Sequence, residues 1–123
     1  MINLETYLMG RDKMYPLDGV KLGNAIKLLE KVSALFSELN EVPHLTSGYR
    51  PGHWNKAAGG SERSAHLSCE AIDLADTFNK IKPRITVELL EKHDLYMEDP
   101  SKTKTWIHLQ TRKTRSGRRI FLP

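Results

Sequence analysis

Eight apolar residues between Leu22 and Leu39 (Leu22, Ala25, Ile26, Leu29, Val32, Leu35, Phe36 and Leu39) recur at steps of three and four. That spacing draws one apolar stripe along a helix. Lys21, Lys27, Glu30, Lys31 and Glu38 occupy the other side. Asp18 is placed to cap its start, and Asn40 to stop it ahead of Pro43. A helix of this length must bury its stripe against a second layer. In 123 residues there is room for one such packed unit. The expectation is therefore a single domain over 1–123, with an N-terminal arm at 1–20 and a basic segment at 111–123.

The second layer reads as strands. His44–Tyr49 suits a short strand, and Arg50-Pro51-Gly52 then opens a loop that runs through Gly59-Gly60 to about Ser64. Cys69–Ala75 alternates as a strand does, with Cys69, Ala71 and Asp73 on one face. Ile85–His93 reads as a short helix. Leu95–Glu98 and Thr105–Gln110 read as strands joined by the turn Asp99–Lys102, and Ile120–Leu122 as an edge strand. Leu4–Leu17 predicts a short helix and an irregular arm. Together these elements predict an α+β fold: a small, mostly antiparallel sheet with one long helix and one or two short ones.

With 39% hydrophobic and 28% charged residues the chain has an ordinary globular composition. No run approaches the 18 apolar residues of a membrane span. Met1–Thr6 carries an acid where a secretory leader would be basic. The expectation is synthesis in the cytoplasm, with any export by another route. A single cysteine, Cys69, excludes an internal disulfide and a cysteine-rich zinc finger. Seven basic residues and no acid lie between Lys102 and Arg119. Such a field attracts polyanions, among them anionic cell-wall polymers, or simply keeps a small protein soluble. A nucleic-acid partner is disfavoured, because the segment lacks interleaved aromatics and any recognised binding motif.

Two stretches carry the chemistry. In the first, His66 precedes Asp73 by seven residues, and Asp73 interrupts the apolar run Ala71-Ile72-Asp73-Leu74-Ala75. A carboxylate there needs a cation or several donors; a divalent metal, an arginine or a turn it caps would each serve. In the second, Trp106, His108 and Gln110 share one face of a strand, and Ile107 and Leu109 share the other.

The segments Ser47-Gly48-Tyr49-Arg50-Pro51, Ser64-x-His66-x-x-Cys69-x-Ala71-x-Asp73 and Trp106-x-His108 stand in the order found in zinc D-Ala-D-Ala carboxypeptidases. Over residues 44 to 110 the chain resembles that family, which includes VanX-like dipeptidases and the L-alanyl-D-glutamate endopeptidases of phage endolysins and shares its fold with the hedgehog domain. The resemblance implies one zinc ion held by His66, Asp73 and His108. Two imidazoles and a carboxylate suit zinc, with a fourth position left open. Arg50, in the Ser-Gly-Tyr-Arg motif, would orient the substrate or stabilise an oxyanion. Ser64, Tyr49 and Trp106 would position the ligands or wall the cleft. The implied activity is zinc-dependent hydrolysis of peptide bonds in peptidoglycan stem peptides, by a phage endolysin or virion-associated enzyme that reaches the cell wall through a holin or within the particle.

Two departures bear on that activity. The family's glycine between His66 and Asp73 is Cys69 here, either a tolerated small residue or a fourth metal ligand. The carboxypeptidases place a glutamate three residues before the last histidine, where this chain has Thr105. Glu98 is then the first candidate for general base and Asp99 the second. If neither reaches the metal, the alternative is a zinc-binding but non-catalytic module of a virion, with other virion proteins as partners.

Overall fold

A computed structural model describes residues 1–61 and 63–123. The elements run α1 (Leu4–Leu8), α2 (Gly19–Leu39), β1 (Leu45–Ser47), α3 (Gly52–Ala57), β2 (Ala71–Ala75), α4 (Val87–His93), β3 (Tyr96–Glu98), β4 (Trp106–Gln110) and β5 (Ile120–Phe121), with short 3-10 turns between some of them. The fold is α+β. One open five-stranded sheet has the order β1-β2-β4-β3-β5. Every neighbouring pair is antiparallel except β3 and β5, which are parallel.

Helix α2 begins where Asp18 accepts a hydrogen bond from the Lys21 N–H (2.8 Å), and ends where Asn40 turns left-handed at φ 55°. Its buried face is Ala25, Leu28, Val32, Leu35, Phe36 and Leu39. This is rotated from the predicted stripe: Leu28 is fully buried, whereas Leu22 and Ile26 are exposed. The steps 25, 28, 32, 35/36 and 39 trace the narrow face that meets the sheet, and Leu22 and Ile26 fall on its flank. Against this face pack Ile72 and Leu74 of β2, Met97 of β3, and Ile107 and Leu109 of β4. The opposite face of the same strands carries Asp73, Glu98, Trp106, His108 and Gln110.

Several predicted elements need correction. The arm at 1–20 is part of the core: Ile2, Tyr7 and Leu8 are buried, and the Tyr7 hydroxyl donates to the Ala71 carbonyl (2.7 Å). The loop from Arg50 contains α3, which Pro51 starts and a backbone turn at Ala58–Gly59 ends. Cys69 lies before β2 instead of within it. The segment 111–123 is a loop followed by the edge strand β5. Within it Arg112 pairs with Glu70, and Arg119 pairs with Asp94 and stacks on Tyr96. No helix among the described residues is long and apolar enough to cross a membrane.

Candidate metal centre

The register of the sheet assembles the site. Asp73 of β2 sits opposite His108 of β4. On the other side of β4, Tyr96 pairs with Gln110 and Met97 with Leu109, so one further step sets Glu98 beside His108. Glu98 in turn pairs with Phe121 of β5. A single row across the sheet thus presents Asp73, His108 and Glu98 to the same cleft. This cleft has a volume of about 540 Å³ and is also lined by Arg50, Ser64 and Trp106.

His66 arrives from the turn before β2. It is 2% exposed, and its Nδ1 lies 2.9 Å from the Gly48 carbonyl oxygen. A carbonyl only accepts, so Nδ1 carries the proton and Nε2 keeps a free lone pair. Gly48 is required here by its other face: a Cβ would collide with the backbone carbonyl of Tyr7. The His66 Nε2 is buried without a hydrogen bond. It lies 3.3 Å from Asp73 Oδ1, in a direction that does not make a bond. A buried acceptor of this kind is costly to leave unpartnered, and a cation is a partner that restores it.

His108 Nδ1 lies 2.8 Å from the same Asp73 Oδ1. One donor atom each from His66, Asp73 and His108 fall within 4.8 Å of one another. Two ligands at the usual zinc bond lengths stand about 3.4 Å apart across a tetrahedral ion. The distances of 3.3 Å and 2.8 Å lie near that value, so the three residues fit a zinc ion after small adjustments. Burial alone would raise the Asp73 pKa, but the hydrogen bond from His108 and the proximity of His66 outweigh it and hold the carboxyl well below the usual range. Burial likewise opposes charge on His108, yet its bond and charge contact with Asp73 raise its pKa above the ordinary value.

The other predicted site residues divide. Arg50 joins the site: its Nη1 lies 4.0 Å from Asp73 Oδ2, and its Nε donates to Asn55 Oδ1 (3.2 Å). The Ser64 hydroxyl accepts from the His66 N–H (3.2 Å) and lines the cleft. Trp106 also lines the cleft. Glu98 lines it too, and burial foremost, with the nearby charge of Asp73 adding to it, raises its pKa. Tyr49 must be corrected: it is a core residue, 1% exposed, whose hydroxyl donates to the Tyr15 carbonyl (3.0 Å). Asp99 is engaged as a cap, accepting from the Ser101 N–H (2.9 Å), and does not line the cleft. Thr105 is exposed and outside the cleft. Cys69 is not a fourth ligand, because it packs in the core, where burial pushes its thiol up to about 12. The departure from glycine has a backbone meaning instead: Cys69 sits at φ 62°, the left-handed region that glycine enters freely.

Three contributors escaped the sequence reading. Asn55, 4% exposed, holds Arg50 and ties the Ser61 carbonyl through its amide N–H (2.8 Å). Gly48 orients His66, and Gln110 contacts His108. Gln110 had a visible signal, two residues from His108 on one strand face. Asn55 had none, since its helix was read as loop.

The family model described as Peptidase M15 matches residues 8–110. The chain belongs to the M15 peptidases. Neither the curated proteins nor the solved structures returned a match. The matched span runs from the end of α1 to the end of β4, so it contains all three candidate ligands together with Arg50 and Glu98. M15 peptidases are zinc-dependent metallopeptidases, and the donor set of His66, Asp73 and His108 is of the kind that zinc takes.

Proposed function

We propose that this M15 peptidase hydrolyses peptide bonds in the stem peptides of peptidoglycan, with one zinc ion held by His66, Asp73 and His108. The observation that carries the reading is the orphaned His66 Nε2, 3.3 Å from the same carboxylate oxygen that His108 contacts. When bound, the ion supplies Lewis acidity and acidifies water at neutral pH. Glu98 is the general base. It takes one proton from the water that adds to the carbonyl carbon, then returns it to the departing amine nitrogen as the C–N bond breaks. The raised pKa of Glu98 suits both transfers. Arg50, held by Asn55, directs its remaining N–H donors into the cleft and binds the oxygen on which negative charge develops. Trp106 and Ser64 wall the cleft beside the peptide.

Gln110, Phe121 and Pro123 line both this cleft and a neighbouring groove of about 620 Å³, which is also walled by Lys113, Thr114, Arg115 and Ser116. This supports an extended, acidic peptide substrate and the endopeptidase form of the activity over the dipeptidase form. The implied setting is a phage enzyme acting at the cell wall, released through a holin or carried in the virion. The test is release of soluble fragments from purified murein by zinc-loaded protein and by protein stripped with a chelator. Turnover that survives complete zinc removal sinks the proposal.

A second reading is favoured by Thr105, which leaves the carboxypeptidase base position without an acid. In that reading the domain binds zinc and peptide without cleaving it. Stoichiometric zinc with no murein release would select it.

A further inference from the structure

The two histidines of the centre offer opposite ring nitrogens. His66 is held at Nδ1 by the Gly48 carbonyl and presents Nε2. His108 presents Nδ1, and its Nε2 lies 2.8 Å from Gln110 Oε1. The identity of that Gln110 atom follows from the other end of the amide. Gln110 Nε2 lies 2.9 Å from the Arg112 carbonyl oxygen. A carbonyl oxygen only accepts, so the group facing it is the NH₂, and the oxygen faces His108. An amide oxygen only accepts as well, so His108 Nε2 must be the donor. Nε2 thereby keeps its proton, and Nδ1, which donates to Asp73 in the metal-free protein, is the nitrogen left to give up its proton and offer its lone pair to a ligand. Gln110 is 8% exposed, which shields this relay from competing water.

Arg112 extends the relay to the other histidine. Its guanidinium donates to Glu70 Oε1 (3.1 and 3.0 Å), to the Ser68 hydroxyl (2.8 Å) and to the Arg63 carbonyl. These contacts staple the turn that carries His66 to the end of β4. The main chain of Arg112 therefore orients one imidazole, and its side chain fixes the segment bearing the other.

We infer that Gln110 is a positioning residue of the metal centre, which sets the His108 tautomer so that Nδ1 faces the ion, with Arg112 as its anchor. This rests on the zinc reading of the site. A partner of this kind typically changes metal affinity 10–100-fold.

The test uses Gln110→Met, which keeps the volume and loses the acceptor, and Gln110→Glu, which restores an acceptor for His108. Zinc dissociation constants are measured by competition with a chromophoric chelator. The His108 Nε2 proton is followed in zinc-loaded, ¹⁵N-labelled protein by two-bond ¹H–¹⁵N spectra. Gln110→Met is expected to bind zinc about 10–100-fold more weakly and to lose a slowly exchanging Nε2–H signal present in the wild type. Gln110→Glu is expected to recover most of the affinity. A Gln110→Met protein with wild-type zinc affinity and an unchanged Nε2–H signal overturns the inference, even if its melting temperature falls. Wild-type protein that fails to hold zinc against the chelator overturns the underlying reading, a result separable from the first.

Discussion

Asp73 and Asp76 lie three residues apart, one inside β2 and the other just past its end, and both are largely withdrawn from solvent. Asp76 is answered completely by the chain. Its oxygens accept the N–H groups of Lys80, Ile81 and Lys82, and its charge faces the buried Lys82 ammonium at 3.4 Å. Lys82 in turn donates to the Trp106 and Lys104 carbonyls. Asp73 faces two imidazoles and an arginine at 4.0 Å, and one of those ring nitrogens, His66 Nε2, is left with no bond at all. A buried carboxylate whose every valence is met by backbone and a fixed cation is architecture. One flanked by two imidazoles, with a ring nitrogen left unpaired beside it, has the donor set that takes up an ion.

The sharpest way to break the comparison is to neutralise each acid in turn. Asp73→Asn is expected to abolish zinc retention, by well over the 10–100-fold that an orienting partner contributes, with folding intact; metal analysis after gel filtration checks it. Asp76→Asn is expected to do the reverse. It strands the Lys82 charge, costs about 3–5 kcal/mol of stability, and lowers the melting temperature by roughly 10 °C or more, while the protein that stays folded still takes up zinc. If the two variants show the same phenotype, the distinction fails.

Next in size is Glu98→Gln. General-base removal is expected to lower kcat by about 10²–10⁴ without weakening zinc binding. With the native residue, the acid limb of the pH–rate profile should lie above the ordinary glutamate value of about 4.3, because burial raises the Glu98 pKa and the base works only when ionised.

A smaller effect separates the two metal states. In the metal-free protein the His108 pKa is raised, so its contribution to stability is complete below about 6.5, the unfolded value, and is lost as pH rises through the folded one. Thermal melts of the stripped protein should weaken over that rise. Zinc-loaded protein should strengthen over the same range, since the ion needs the deprotonated ring. Matching trends in the two states would contradict the ligand assignment.

The smallest expected effect concerns Cys69. At φ 62° a side chain costs about 1–2 kcal/mol relative to glycine. Cys69→Gly should therefore be less destabilised than Cys69→Ala by about 1 kcal/mol, as read by denaturant midpoints.

The long helix and the strands were legible because each leaves a periodic trace, as in the three-and-four steps of α2 and the alternation of Trp106, His108 and Gln110, and the three candidate ligands were legible because the segments that carry them resemble those of a peptidase family. What stayed hidden depends on contacts made across the fold. Tyr49 looked like a cleft wall because it precedes Arg50, yet the segment after β1, held by the Tyr7 carbonyl, turns its ring into the core. Leu28 replaced Ile26 because the sheet meets α2 along a line that periodicity alone does not locate. Asp99 and Glu98 are adjacent acids, and only the pairing of β3 with β4 decides which faces His108.

The floor of the metal centre is laid by the first helix. The Tyr7 carbonyl presses against Gly48 and accepts the Tyr49 N–H (3.0 Å), and the Tyr7 hydroxyl grips the start of β2. The residue that aims His66 is thus clamped from beneath by the chain's opening turn. A shortened fragment starting at the long helix would keep every ligand and still lose the support that points one of them, so truncation at this end should register first as weakened ion uptake, before any loss of the sheet.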